Sequence, residues 1–172
     1  MAGGKGTAAR YIAEKYAGST YRFSTMLRDI LDRLYLGHTR GNMQQLSTSV
    51  RENFGEDTLA RVMFEDVRKD EHEVVVVDGV RRPADIAYLK TLPEFRLVYI
   101  DTSLEQRYER IVKRGENPDD ATKTLEQFKK DQRGEADAQI RSLKEVASCV
   151  ITNDGSHADL YAQIDSLINN AA

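Results

Sequence analysis

Valines fill positions 74–77 without a break, and Asp78 and Gly79 follow. Side chains along a strand alternate between its faces, so an unbroken β-branched run predicts burial on both. A parallel sheet covered by helices on each side meets that demand, and the expected class is therefore α/β. Two further runs are of the same kind, "FRLVYIDT" at 95–102 and "SCVITND" at 148–154. A shorter β-prone piece, "STYRF", lies at 19–23.

The segments between these runs have helical composition or periodicity. "GTAARYIAEKY" occupies 6–16. In "STMLRDILDRLYL" the apolar stripe is Met26, Leu27, Ile30, Leu31 and Leu34, with Ser24 or Thr25 as the cap. "NMQQLSTSVRENF" and "EDTLARVMFEDVRKD" predict two more helices parted by Gly55, and Pro83 opens a short one. Ser103 caps "SLEQRYERIVKRG". The charged stretch at 125–147 breaks at Gly134, and an amphipathic helix capped by Ser156 ends the chain. Strands alternating with helices predict right-handed crossovers. Ligands of such sheets bind at the carboxyl ends of the strands, here just after 78, 101 and 153.

A chain of 172 residues suffices for one domain with a sizeable core. Its net charge of -3 gives no bulk drive toward nucleic acid or an anionic membrane, so neither partner is expected. The single cysteine, Cys149, excludes an internal disulfide and sits in a strand as a buried, inert thiol. No stretch has the apolar length of a membrane span, and no N-terminal segment resembles a secretory signal, so the cytoplasm is the expected compartment. His38, His72 and His157 lie far apart, with no metal-ligand spacing.

"GGKGT" at 3–7 has the chemistry of a phosphate loop. Backbone N–H groups of a glycine-rich turn cradle phosphate oxygens, and the helix that follows adds its positive end. Gly3, Gly4, Lys5, Gly6 and Thr7 are the candidate contacts, with Lys5 reaching the β- and γ-phosphates. In the full pattern G-x-x-x-x-G-K-[ST], Gly4 and Lys5 supply the G-K, while Gly6 takes the usual magnesium-ligand place and Thr7 follows it. The first glycine of that pattern would lie before Met1, and so would the strand that carries it. The fragment is also compatible with a glycine-rich tail.

Asp78 ends a strand where a carboxylate holds Mg²⁺ through water. Arg81 and Arg82 follow it, and guanidinium forks suit phosphate. The alternative for this stretch is a helix-capping aspartate beside solvated arginines. Arg28 lies one turn into its helix, where it can clamp an acceptor's phosphate or simply face solvent. Arg107, Arg110 and Arg114 share a helical face, and Arg133 follows beyond a polar loop. Arginines on a mobile segment can close over a nucleotide and neutralise transferring phosphate. The same face also suits plain pairing with Glu105 and Glu109. Asn153 follows the last strand, where it can meet a base or form a turn.

Taken together, "AGGKGT", "STMLR" and "VDGVRRP" resemble motifs of the P-loop nucleoside monophosphate kinase superfamily, the first in its adenylate-kinase style. "QRYERIVKRG", "DQR" and "ASCVITNDGS" are similar to dephospho-CoA kinase and its uncharacterised archaeal-type relatives. The resemblance implies a three-layer P-loop fold, with helices on both faces of a parallel sheet whose first central strand is missing here. It implies one domain over 1–172, with an acceptor-binding region at about 24–70 and a lid at about 114–134. It implies ATP and Mg²⁺ as cofactors and a small nucleotide-like acceptor as partner. Lys5 and residues 3–7 would hold ATP phosphates, and Asp78 with Thr7 would serve the metal. Arg28, Arg81 and Arg82 would bind the acceptor, Arg110, Arg114 and Arg133 would be lid arginines, and Asn153 would lie near adenine. Were the acceptor a hydroxyl, Asp29 or Asp32 would be tried as base.

The expected activity is thus an ATP-dependent phosphotransferase acting on a nucleoside monophosphate or dephospho-CoA. The competing class is a nucleotide-binding protein without transfer activity, or an interaction module. On this resemblance the chain begins one strand into the kinase fold.

Overall fold

The computed structural model of the chain describes residues 2–114, 124–131 and 135–170. In chain order its elements are α1 (Lys5–Lys15), β1 (Ser19–Arg22), α2 (Phe23–Arg33), α3 (Arg40–Phe54), α4 (Thr58–Arg68) and β2 (Val75–Asp78). Two 3-10 turns follow, Pro83–Ile86 and Leu89–Thr91. Then come β3 (Val98–Asp101), α5 (Leu104–Arg114), α6 (Leu125–Asp131), α7 (Glu135–Glu145), β4 (Cys149–Thr152) and α8 (His157–Asn169). The chain divides into two compact units, Ile12–Phe95 and Met1–Tyr11 with Arg96–Ala172.

In the unit Ile12–Phe95, β1 and β2 pair in parallel, with Ser19 opposite Val75 and Arg22 opposite Asp78. Phe23 and Leu27 of α2, Leu59 and Met63 of α4 and Leu89 form its buried core. The spacing of these residues brings one face of each helix inward. Helix α2 starts at Phe23 and not after a Ser24 or Thr25 cap. Its N-cap is Arg22, in extended conformation and without a side-chain cap bond. Phe23 is 8% exposed, so burial of that ring draws the first turn inward. Gly55 parts α3 from α4 with φ at 112°, as the sequence predicts. The segment opened by Pro83 is not one helix. Asp85 is buried and accepts from the N–H groups of Arg81 and Arg82 at 2.9 and 3.0 Å, which closes a tight turn instead.

In the other unit, β3 and β4 pair in parallel, with Val98 opposite Cys149 and Asp101 opposite Thr152. Ile151, Leu160 and Ile164 are nearly inaccessible, so α8 buries its apolar stripe together with β4. Ser156 and Asp159 form a capping box at its start. Tyr11 stacks on Tyr161 at a centroid distance of 3.8 Å and donates to Asp165. Cys149 is a free, half-buried thiol.

The strands are less enclosed than the valine run implies. Every residue of β2 and of β3 is half-buried. Each strand belongs to a two-stranded sheet and, among the described residues, is paired along one edge only. No helix among the described residues is long and apolar enough to cross a membrane.

One buried carboxylate makes stability depend on pH. The Asp70 side chain, 6% exposed, accepts from Tyr21 Oη at 2.7 Å and from the His72 backbone N–H at 2.8 Å. The Tyr21 bond, then the His72 N–H, holds its carboxyl far below the usual carboxylate range. A depressed folded-state value stabilises the fold above the unfolded value of about 4, and that contribution fades as pH falls below it. In urea unfolding at pH 7 and pH 3.5, the wild-type midpoint should drop on acidification. Asp70→Asn should start lower at pH 7 and lose less over the same interval. Equal losses for both proteins would assign the acid sensitivity to other groups.

Candidate phosphate-binding site

The carboxyl ends of β3 and β4 meet the glycine turn at the start of α1. Thr102 follows β3 and Asn153 follows β4, and both are buried. Thr102 Oγ1 donates to the Gly3 carbonyl at 3.1 Å, and Asn153 Nδ2 donates to the same oxygen at 3.0 Å. The Asn153 N–H donates to Asp101 O at 2.8 Å, which ties β4 to β3 beneath the turn. Gly4 has φ at 87°, a left-handed conformation suited to glycine. A Cβ on Gly4 would lie 2.0 Å from Asn153 Nδ2, so glycine is required here for space as well.

The Gly4 carbonyl accepts from Ala8 N–H at 3.0 Å and opens α1. The N–H groups of Lys5, Gly6 and Thr7 then fall in the first turn, where a helix offers no acceptor of its own. No acidic residue stands in that turn, and Lys5 is exposed beside it. First-turn N–H groups, the positive helix end and one lysine together favour an anion with several oxygens.

Arg110 of α5 donates from Nη2 to Asn153 O at 2.8 Å, and its Nη1 is buried without a partner among the described residues. Arg107 Nε, one turn earlier, is likewise buried and unpaired. Each is a buried N–H whose desolvation no bond among the described residues offsets. Asp154 accepts from Ser103 N–H at 2.8 Å, a bond that lowers its carboxyl below the usual range. Asp101 is engaged by Lys144 at 2.5 Å. Arg114 closes α5, while Arg133 and most of the expected lid lie outside the described residues.

In the unit Ile12–Phe95 the carboxyl end of β2 carries Asp78. Its Oδ2 pairs with Arg22 at 3.1 Å, and its Oδ1 is buried with no partner among the described residues. An orphaned carboxylate oxygen fits a metal-bound water, so this residue suits Mg²⁺ held indirectly. Gly79 turns the chain with φ at 88°. Arg81 is exposed, Arg82 lies 3.6 Å from Glu56, and Arg28 donates to Ser24 Oγ at 3.0 Å. Asp29 and Asp32 are exposed on α2, and Asp32 pairs with His38 at 2.6 Å.

Three residues of these sites escape a reading of motifs. Arg22 meets Asp78 only because β1 pairs with β2 in this register. Arg51 bonds Ser47, and burial, then the nearby Arg82 charge, lowers its guanidinium below the usual value. Thr102 shares the Gly3 carbonyl with Asn153. The signal available for Thr102 was its place one residue past a strand end.

The AAA domain family model matches residues 2–129. The chain belongs to the AAA domain family. Proteins similar to it include a UPF0200 protein of Staphylothermus marinus, 32% identical over 143 residues, which span 82% of this chain and 73% of the relative. A UPF0200 protein of Methanoculleus marisnigri is 29% identical over 168 residues, 97% of this chain and 90% of the relative. A UPF0200/UPF0201 protein of Archaeoglobus fulgidus is 29% identical over 169 residues, and there the chain spans 51% of the relative's length. Among solved structures, a Thermus thermophilus protein superposes with a TM-score of 0.62 at 18% identity, covering 100% of this chain and 94% of that one. Shikimate kinase from Acinetobacter baumannii, in complex with shikimate, gives a TM-score of 0.56 at 20% identity, covering 99% and 89%. These likenesses show the fold: the family member described here has the α/β fold of P-loop kinases.

Proposed function

We propose that the chain is an ATP-dependent phosphotransferase acting on a small nucleotide-like acceptor, such as a nucleoside monophosphate or dephospho-CoA. The observation that carries this reading is the turn at Gly3 and Gly4, pinned at the strand ends and opening onto the N-terminus of α1. Lys5 and the amides of residues 3–7 hold the phosphates of ATP. Arg110, Arg114 and Arg133 offset charge on the phosphoryl group as it moves, and Arg28, Arg81 and Arg82 bind the acceptor. Mg²⁺, when bound with ATP, supplies charge neutralisation across the phosphates, with Asp78 and Thr7 as the residues that would serve it. Phosphoryl transfer needs positioning and charge more than covalent chemistry, so this set of groups suffices.

A second reading, nucleotide binding without transfer, draws support from Arg22. Its guanidinium engages one oxygen of Asp78 and competes with a metal-bound water for the carboxylate. Coupled ATP turnover with nucleoside monophosphates and dephospho-CoA separates the two. The transferase reading expects ADP formation that depends on one acceptor class. Tight ATP binding with no acceptor-dependent turnover would favour the second.

A further inference from the structure

We infer that Asn153 is a positioning residue for the phosphate loop, pinning the Gly3 carbonyl while its own carbonyl holds Arg110. The inference rests on the nucleotide-binding reading above. A trans peptide places C=O and the next N–H on opposite sides of one plane. With Gly3 O drawn toward Thr102 and Asn153, the Gly4 N–H is turned away from them. Released, the Gly3 carbonyl would be free to rotate outward and set a negative dipole where phosphate oxygens must sit.

Asn153 suits this task by composition. Its backbone N–H is anchored on Asp101 O, its amide reaches the loop, and its carbonyl accepts from Arg110 Nη2. At 4% exposure its amide is spent beneath the turn, where it also fills the space that a Gly4 side chain would need. One residue thereby links the loop that grips phosphate to an arginine that neutralises it. An aspartate of the same shape would face the Gly3 oxygen with another acceptor, and the two would repel.

The test measures ATP affinity in the presence of Mg²⁺ for the intact chain and its Asn153→Ala, Asn153→Asp and Thr102→Val variants, with Lys5→Ala as reference. It also measures hydrogen exchange of the Ala8 amide without nucleotide, because that amide bonds Gly4 O. Losing a buried hydrogen bond predicts about tenfold weaker ATP binding for Asn153→Ala and a larger loss for Asn153→Asp. Ala8 exchange should quicken by about tenfold, with amides of α8 unchanged. Thr102→Val removes the other donor from the same carbonyl and should shift both readouts the same way, which keeps the test decisive if Asn153 variants fail to fold. Unchanged affinity and exchange in the folded variants would overturn the inference, as would equal acceleration throughout α8. Should the wild-type chain bind no ATP, the functional reading falls, and Ala8 exchange alone then decides whether Asn153 pins the loop.

Discussion

Gly4→Ala should cost this protein both stability and nucleotide binding. The native φ of 87° lies where a side chain is strained, a penalty of roughly 1–3 kcal/mol. The new methyl would also stand 2.0 Å from Asn153 Nδ2, far inside contact distance. Asn153 is buried and held by its bonds to Asp101 and Arg110, so it has little room to yield. Either the turn changes conformation or the Asn153 bond to Gly3 O breaks, and the buried Asn153 amide deprived of its acceptor costs about 1–3 kcal/mol more. Both outcomes displace the N–H groups at the start of α1. Thermal unfolding should show a lowered midpoint, and an ATP titration should show at least about tenfold weaker binding. A variant with wild-type unfolding and affinity would mean that the turn is not held as described.

Much of the architecture was legible in the sequence because it is written in local patterns. The valine run, "FRLVYIDT" and "SCVITND" all contain strands, and Ser103 and Ser156 sit at the helix starts expected of them. The start of α2 was misread because a buried ring, Phe23, outweighed the capping preference of Ser24 and Thr25. The extent of strand burial was overestimated because a run of valines reports what a full sheet would cover. Here each strand has a single ladder partner among the described residues.

The site was legible in part. "GGKGT" marks the turn that leads into α1 by its own composition, with Lys5 as the first helical residue. What holds the turn was not legible. Asn153 and Thr102 lie 150 and 99 positions from Gly3, and no periodicity or spacing rule joins residues so far apart. The expectation that Asn153 lies near a base came from its place after the last strand and from family likeness; neither foretold that its amide bonds the Gly3 carbonyl. Arg22 was passed over for the same reason, since its pairing with Asp78 depends on a strand register.

Lys5→Ala carries the other large expected effect, and it acts on binding alone. Lys5 is exposed at the first position of α1, so its removal should leave unfolding within about 0.5 kcal/mol of wild type. Its ammonium is the only positive side chain in the five-residue turn "GGKGT". A charge-assisted bond to phosphate contributes about 1.5–3 kcal/mol, so its loss alone weakens binding by roughly one to two orders of magnitude. The decisive measurement is therefore an equilibrium titration of wild type and Lys5→Ala with ATP and Mg²⁺. The account predicts saturable binding by the wild-type chain and binding weaker by roughly one to two orders of magnitude in a variant that remains fully folded. Identical affinities for the two proteins would contradict it.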